Sequence, residues 1–235
     1  PRLRACMSGG APKPPELHYE IRRALGGAGI LSSWGMTEFP LATCASPGDP
    51  DEQLAHTEGR PVPGVELRIV AQDGRPCGVG EEGELRVRGP NCCRGYVDAA
   101  LDADAFDADG FFRTGDLGVV DAGGDVRITG RLKDVIIRNA ENISAAEIED
   151  VLYTHPKVAD VAVIGLPDPK TGERACAVVA LKPGTAALTL AELAEFGRAE
   201  GLAALKLPEQ LEIVDALPRN AMGKVQKFEL KKRLG

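Results

Sequence analysis

The segment LPRNAMGKVQK, residues 217–227, could present one positive charge to a phosphate group. Gly223 lets the backbone turn or approach a ligand closely, and Lys224 carries a compact ammonium group on a long, flexible stem. An isolated motif of this type is more often a surface turn with a solvated lysine. Its chemical interpretation therefore depends on finding the other parts of a phosphate site elsewhere in the chain.

A second segment, SWGMTE at residues 33–38, combines an aromatic ring, a glycine, a hydroxyl group and a carboxylate. A planar ring could stack on Trp34, and the Thr37 hydroxyl could donate to a phosphate oxygen. Glu38 could hold Mg²⁺, which prefers carboxylate and phosphate oxygens. A buried tryptophan followed by a helix-capping Thr-Glu pair explains the same residues equally well.

Three further segments suggest a nucleotide. Gly9 and Gly10, in SGGAPKP at residues 8–14, leave backbone open to a flat ligand or a phosphate, although a plain turn is the commoner explanation. Asp116, in FRTGDL, could accept both hydroxyls of a ribose, with an ordinary Asp turn as the alternative. Arg131, in GRLKD, offers a fork of donors to sugar or phosphate oxygens, or is part of a charged linker.

The elements that must position these residues change in type along the chain. A strand, a helix and a second strand are predicted over residues 1–40, and short strands with hairpin turns over residues 60–131. A compact α+β unit follows, with the boundary at residues 131–134. Within it, Ser144 and Glu147 form a capping-box signature, and Thr189 lies near the start of another helix.

Composition excludes several classes of function. The chain has 235 residues and a formal net charge of -7, with 4% aromatic residues, so neither a basic nucleic-acid footprint nor a base-stacking platform is expected. No apolar run approaches the ~18 residues that a membrane helix needs, and no signal peptide is visible. The six cysteines include no C-x-x-C pair, which favours reduced thiols and a cytoplasmic location.

The order of the motifs is more informative than any one of them. S-G-G-A-P, W-G-M-T-E, G-E-L-x-V-R-G, R-T-G-D-L, G-R-L-K-D and P-x-x-x-x-G-K follow one another. In this order the sequence resembles the adenylate-forming superfamily, which includes acyl-CoA synthetases, firefly-type luciferases and the adenylation domains of peptide synthetases. The resemblance covers essentially all 235 residues. Residues 141–179 look most like acyl-CoA ligases of fatty, aryl and alicyclic acids.

The resemblance implies an α/β and α+β fold in two parts. Residues 1–131 would be the C-terminal part of an AMP-binding N-terminal domain, with residues 60–131 as its β-rich subdomain. Residues 132–235 would form a small, mobile α+β domain that carries the catalytic lysine, with Lys133 at the hinge. The phosphate loop and most of the acyl pocket of this family would precede these segments, so we expect the chain alone to be inactive in adenylation.

The resemblance also implies which residues form the site. Catalytic roles fall on Lys224, Thr37 and Glu38, with Glu38 as the Mg²⁺ ligand and Lys224 between the attacking carboxylate and the α-phosphate. Thr37 would contact the phosphate of AMP, and Asp116 and Arg131 would hold the ribose. The implied nucleotide-binding residues are Gly9, Gly10, Ala11, Trp34, Gly35, Met36, Thr37, Asp116, Arg131 and Lys224.

The implied activity is that of an acyl-CoA ligase. ATP would convert a small carboxylic acid, as in fatty acid metabolism, to acyl-AMP, and coenzyme A would then displace AMP. Asn139-Ala140 departs from the glycine usual where the backbone approaches the pantetheine, so a carrier-protein thiol is an alternative acceptor. A non-catalytic module that binds a nucleotide or a partner is a second alternative. The Lys224 motif also resembles a site that protein acetyltransferases recognise.

Overall fold

The computed structural model describes residues 3–10, 13–27, 29–221 and 223–235. Contacts divide the chain into two compact units, Pro1–Leu132 and Lys133–Gly235. No helix in the described part of the chain is long and apolar enough to cross a membrane.

The first unit begins with a small mixed sheet and two helices. Its elements are β1 (Cys6–Ser8), α1 (Pro15–Leu25), β2 (Ile30–Trp34), β3 (Thr43–Cys44), α2 (Asp51–His56) and β4 (Arg60–Pro61). Strands β1 and β2 are parallel, and α1 makes the crossover that a parallel pair requires. Since parallel strands end at the same edge, the residues that follow β1 and β2 come together.

An antiparallel sheet forms the β-rich part of the first unit. Its elements are β5 (Glu66–Val70), β6 (Gly83–Arg88), α3 (Asp102–Ala105), β7 (Phe112–Val120) and β8 (Val126–Arg131). The strands lie in the order β5-β6-β7-β8. Leu85, Val87 and Phe112 pack in one core cluster with Trp34 and Phe39. This packing places the end of β2 against the antiparallel sheet.

The second unit is a five-stranded sheet with helices on both faces. Its elements are β9 (Ile136–Arg138), β10 (Glu141–Ile143), α4 (Ala145–Tyr153), β11 (Val158–Asp168), β12 (Gly172–Leu181), α5 (Leu190–Ala199), β13 (Gln210–Val214) and α6 (Lys227–Leu234). The strand order is β10-β9-β12-β11, and β13 pairs with β12 in parallel.

Alternating side chains explain why β11 is apolar from Val161 to Leu166. Val161 and Val163 belong to the core that includes residues of α4 and α5. Ala162 and Ile164 point to the opposite face, where they share a core with Leu230 of α6. A strand covered on both faces reads as a continuous apolar run, which is what the sequence shows.

The predicted helix starts in the second unit are confirmed. The Ser144 hydroxyl accepts from the Glu147 amide at 3.3 Å, and the Thr189 hydroxyl accepts from the Glu192 amide at 3.2 Å. Both bonds satisfy an amide of the first helical turn. The carboxylate of Glu147 contacts Lys206 Nζ at 2.6 Å.

The β9–β10 hairpin turns through Asn139 and Ala140, at φ values of 52° and 62°. A two-residue hairpin with both residues in the left-handed region is the geometry of a type I′ turn, which prefers Asn-Gly. Ala140 therefore occupies a position that favours glycine.

Candidate active site

The glycines after β1 lie beside the end of β2. Ser8 pairs with Ser32 across the two parallel strands, and Ser33 Oγ donates to the Ser8 carbonyl at 3.2 Å. Gly9 and Gly10 follow directly, with Gly10 at a φ of 81° that glycine adopts readily. Ala11, the third residue of this motif, lies outside the described residues. The carboxyl ends of parallel strands are a common place for a ligand.

Asp116 is the buried centre of a polar cluster. Trp34 Nε1 donates to Asp116 Oδ2 at 2.8 Å, and Arg131 Nε lies 2.8 Å from Asp116 Oδ1. Asp116 and Arg131 are also paired across β7 and β8. Asp116 is 4% exposed, so it is a buried strand residue and not an exposed Asp turn.

The Asp116 carboxylate retains capacity to accept hydrogen bonds. Arg131 Nε lies 2.8 Å from its Oδ1 as an ion pair, without the alignment of a hydrogen bond. Each carboxylate oxygen can accept two hydrogen bonds, so Oδ2 also has room beside the indole N–H of Trp34. A pair of vicinal hydroxyls, such as those of a ribose, would satisfy these positions.

A tight turn follows Trp34. The Met36 amide donates to the Phe39 carbonyl at 2.9 Å, and the Phe39 amide donates back to the Met36 carbonyl at 3.1 Å. A Cβ on Gly35 would lie 2.5 Å from the Pro40 carbonyl oxygen, so this turn requires glycine. Thr37 is exposed within the turn, whereas Met36 packs against the core.

Glu38 is held by a loop that sequence inspection did not single out. Tyr96 Oη donates to Glu38 Oε1 at 2.8 Å, and the Cys93 amide donates to the Glu38 carbonyl at 2.7 Å. Asp102 Oδ1 in turn accepts from the Tyr96 amide at 2.8 Å. The hydrogen bond to Glu38 raises the pKa of Tyr96 to about 12, so its hydroxyl remains a donor at neutral pH.

The carboxylate of Glu38 is compatible with a nucleotide-bound metal. No group of three or more His, Cys, Asp or Glu residues within the described ranges could hold an ion by itself. Mg²⁺ typically keeps several waters and uses one or two carboxylates together with substrate phosphates. A single partly buried carboxylate fits that donor set.

Lys224 belongs to the second unit, in the loop between β13 and α6. Its amide donates to Asn220 Oδ1 at 2.9 Å, and its carbonyl accepts from the Asn220 amide at 2.9 Å. The structure thus brings together the predicted residues of the first unit, Trp34, Asp116 and Arg131. Lys224 lies in a loop of the second unit, where its backbone is bonded to Asn220.

Comparison with protein families gives two matches. A sequence model described as AMP-binding enzyme matches residues 1–97, and one described as AMP-binding enzyme C-terminal domain matches residues 147–224. The two models are successive domains of one family of enzymes, and they occur here in the same order.

Individual proteins agree with these matches. The salicyl-AMP ligase / salicyl-S-ArCP synthetase of Mycobacterium tuberculosis is 43% identical over 99% of this chain and 41% of its own length. The medium-chain fatty-acid–CoA ligase of Escherichia coli is 39% identical over 98% of this chain and 40% of its own length. The chain thus spans about two fifths of the length of these relatives.

The solved structure of ATP-bound MatB from Rhodopseudomonas palustris has a similar fold. It superposes with a TM-score of 0.90 and 35% identity, over 97% of this chain and 44% of that one. The mixed α/β fold with several sheets, predicted from the sequence, is confirmed by this similarity.

Proposed function

This chain belongs to the adenylate-forming superfamily of AMP-binding enzymes, and from that membership we propose that it forms part of an acyl-CoA ligase. The ligase would activate a carboxylic acid as acyl-AMP and transfer the acyl group to coenzyme A. The observation that carries this proposal is the cluster of Trp34, Asp116 and Arg131, in which Trp34 and Asp116 are buried and Arg131 is partly exposed. It presents a carboxylate that can accept further hydrogen bonds, beside an indole ring and a guanidinium group.

The first unit would bind the nucleotide. Asp116 and Arg131 would hold the ribose hydroxyls, and Trp34 would lie beside adenine, with its indole orientation fixed by the Asp116 bond. The Thr37 hydroxyl would donate to the phosphate of AMP. The remaining contacts would come from the backbone and small side chains at Gly9, Gly10, Ala11, Gly35 and Met36.

The reaction would be a displacement at the α-phosphorus of ATP. A carboxylate oxygen attacks this phosphorus, and the bond to the pyrophosphate oxygen breaks, which yields acyl-AMP and pyrophosphate. Lys224 would place its ammonium group where negative charge develops on the phosphoryl oxygens. Glu38 would hold Mg²⁺, which neutralises phosphate charge when bound.

The thiol acceptor is proposed to be coenzyme A. The Escherichia coli relative is named a CoA ligase. The Mycobacterium tuberculosis relative is named a salicyl-AMP ligase and a salicyl-S-ArCP synthetase. A carrier-protein thiol is therefore the second candidate. Supplying coenzyme A and a phosphopantetheinylated carrier side by side to the acyl-AMP complex separates the two.

The second unit is proposed to be a mobile domain, residues 132–235. Lys133 is exposed where the contacts divide the two units, and it would act as the hinge between the two half-reactions. The β9–β10 hairpin would approach the site for thioester formation. Acetylation of Lys224 by a protein acetyltransferase would remove its charge and stop adenylation.

Two variants test the proposal in the complete ligase. Asp116→Asn keeps the volume but removes the charge, so AMP affinity in calorimetry should fall by about 10- to 100-fold, as for lost hydrogen bonds to a charged group. Lys224→Ala should lower acid-dependent pyrophosphate exchange by a factor on the order of 10²–10³. The 235-residue chain alone should not support exchange.

Two results would contradict the proposal. Equal AMP binding by wild-type protein and Asp116→Asn would show that this cluster is not the ribose site. AMP binding by the complete protein without pyrophosphate exchange, across a panel of aliphatic, alicyclic and aromatic acids, would favour a non-catalytic nucleotide-binding module.

A further inference from the structure

The loop that carries Lys224 is a closed hairpin. Its sides meet at a bridge between Arg219 and Val225, and the Gln226 amide donates to the Pro218 carbonyl at 2.8 Å. The backbone on both sides of Lys224 is therefore fixed at the base of the hairpin.

The tip of this hairpin is fixed by Asn220. The Gly223 amide donates to the Asn220 carbonyl at 2.9 Å, and the Lys224 amide donates to Asn220 Oδ1 at 2.9 Å. These bonds hold Lys224 relative to its own loop. They do not connect the loop to the sheet of the second unit.

Arg219 makes that connection. Its Nη1 donates to the Gly223 carbonyl, directly before Lys224, and its Nη2 donates to Asp160 Oδ2 at 2.6 Å. Asp160 lies in β11, where its Oδ1 accepts from the Val161 amide at 3.1 Å. One guanidinium group thus joins the tip of the hairpin to the longest strand of the unit.

The chain after the loop is anchored independently. Lys227, at the start of α6, lies 2.7 Å from Glu149 Oε1, which also accepts from the Val163 amide at 2.6 Å. Leu230 is buried in the core on that side. The position of α6 therefore does not depend on Arg219, whereas the tip of the hairpin is tied to β11 through it.

We propose that Arg219 and Asp160 are positioning residues for Lys224 in adenylation. The inference rests on the proposed function, because it takes Lys224 as the group that stabilises the phosphoryl charge. A displacement of about 1 Å at a reacting group can cost on the order of 10²-fold in rate. A planar guanidinium donates to two acceptors in fixed directions, which an ammonium group does not reproduce.

The experiment compares matched variants of the complete ligase. Arg219→Gln removes the ion pair and the fork, Arg219→Lys keeps the charge, and Asp160→Asn removes the charge on the other side. Lys206→Gln is the control, since it breaks a 2.6 Å ion pair with Glu147 in the same unit. Each is assayed by pyrophosphate exchange, with the acid that the wild-type ligase activates best from a panel that includes octanoate and salicylate.

Arg219→Gln should lower kcat by about 10- to 100-fold with little change in KM for ATP. Asp160→Asn and Arg219→Lys should each lose less, and Lys206→Gln should match the wild type. The double variant distinguishes a residue that acts through Lys224 from one that acts independently. If Arg219 acts through Lys224, Arg219→Gln costs nothing further in a Lys224→Ala background.

A second measurement does not depend on catalysis. Trypsin cleaves after Lys224, and a hairpin released from β11 should be cleaved there faster in Arg219→Lys and Asp160→Asn than in the wild type or Lys206→Gln. This readout also covers the case in which Arg219→Gln fails to fold.

Four outcomes decide between explanations. Pyrophosphate exchange at the wild-type rate in Arg219→Gln would overturn the positioning role. So would an Arg219→Gln variant that loses exchange by the same factor in the wild-type and the Lys224→Ala backgrounds. In both cases Lys224→Ala itself would remain defective, so the proposed function would stand. Unchanged cleavage after Lys224 in both Arg219→Lys and Asp160→Asn would overturn the positioning role as well. Wild-type exchange in Lys224→Ala would instead overturn the proposed function.

Discussion

Asp116 shows how a single buried carboxylate can be prepared for a ligand. A buried charge is costly unless it is paired and hydrogen-bonded, and Trp34 and Arg131 supply one donor and one positive charge. Each carboxylate oxygen can accept two hydrogen bonds, so lone pairs remain beyond these two contacts. The fold therefore stabilises the charge without using all of its capacity, and a bound hydroxyl meets an acceptor already in place.

Tyr96 provides a prediction about a single side chain. In the complete ligase, Tyr96→Phe removes the hydroxyl that donates to Glu38 Oε1, so the Glu38 carboxylate loses its orientation. We expect adenylation to fall by about tenfold, the effect of about 1.4 kcal/mol, and half-saturation to require more Mg²⁺. Magnesium titration of pyrophosphate exchange and direct Mn²⁺ binding in the presence of ATP measure both effects.

The chain contains a matched control for this change. Tyr19 Oη donates to Glu52 Oε2 at 3.0 Å on the exposed side of α1 and α2. Tyr19→Phe removes an equivalent hydrogen bond and should leave the metal dependence unchanged. If Tyr96→Phe and Tyr19→Phe give the same magnesium curve, Tyr96 does not orient Glu38.

The chemistry of individual residues was enough to predict part of this site from the sequence, but not all of it. Trp34, Asp116 and Arg131 carry groups whose chemistry is evident from their motifs, and the structure brings them into contact. Tyr96 follows two cysteines in a loop without a recognisable pattern. Its contact with Glu38 depends on how that loop packs on the turn after β2, which no local spacing specifies.

Among the helices and strands, the sequence predicted those that have a clear pattern of apolar or capping residues. The capped starts of α4 and α5 were predicted and are confirmed. The two-residue strands β3 and β4 and the short helix α2 were not predicted. Such short elements carry no periodic signal and are defined by the neighbours with which they pair.

The β9–β10 turn gives a prediction for one element. Ala140 has a φ of 62°, and an L-residue in the left-handed region is destabilised by about 1–2 kcal/mol. Ala140→Gly relieves this strain, partly offset by the greater freedom of glycine in the unfolded chain. We expect the free energy of unfolding to rise by about 0.5–1 kcal/mol in urea denaturation.

Ala203→Gly serves as a control, for which we expect the opposite change in the free energy of unfolding. It is exposed, with a φ of -60°, so replacement by glycine relieves no strain and only adds freedom to the unfolded chain. Ala203→Gly should therefore lower stability slightly. A destabilising Ala140→Gly would mean that the methyl group makes a favourable contact that outweighs the backbone strain.

On the scale of the whole molecule, each unit contains one buried histidine. His18 in α1 accepts from the Ile30 amide at 3.1 Å through Nδ1, and His155 accepts from the Lys157 amide at 3.2 Å in the same way. Burial lowers the pKa of both imidazoles below the ordinary value of 6.5. The folded chain therefore disfavours the charged form of both rings, and acidification acts on both units.

The sign of the pH dependence follows from these shifts. As pH falls below about 6.5, the unfolded chain binds protons at its histidines before the folded chain does. The stability present above that pH is then progressively lost, so urea denaturation should give a lower free energy of unfolding at about pH 5.5 than at about pH 7.5. Asp51, 3.5 Å from His18 Nε2, would favour the charged ring, whereas Lys13 and Arg22 oppose it.

His18→Gln and His155→Gln should each reduce the loss on acidification, because each removes one of the two buried rings. Glu149 acts in the other direction in the second unit, since burial raises the pKa of its carboxyl group above the usual 4.5. Its contribution is present at low pH and is lost as pH rises, so it offsets part of the effect of His155. Burial shifts the pKa of Glu58 in the first unit in the same direction, so the same offset applies to His18. Equal stability at both pH values in the wild type, with no change in either variant, would show that burial does not disfavour the charged imidazoles.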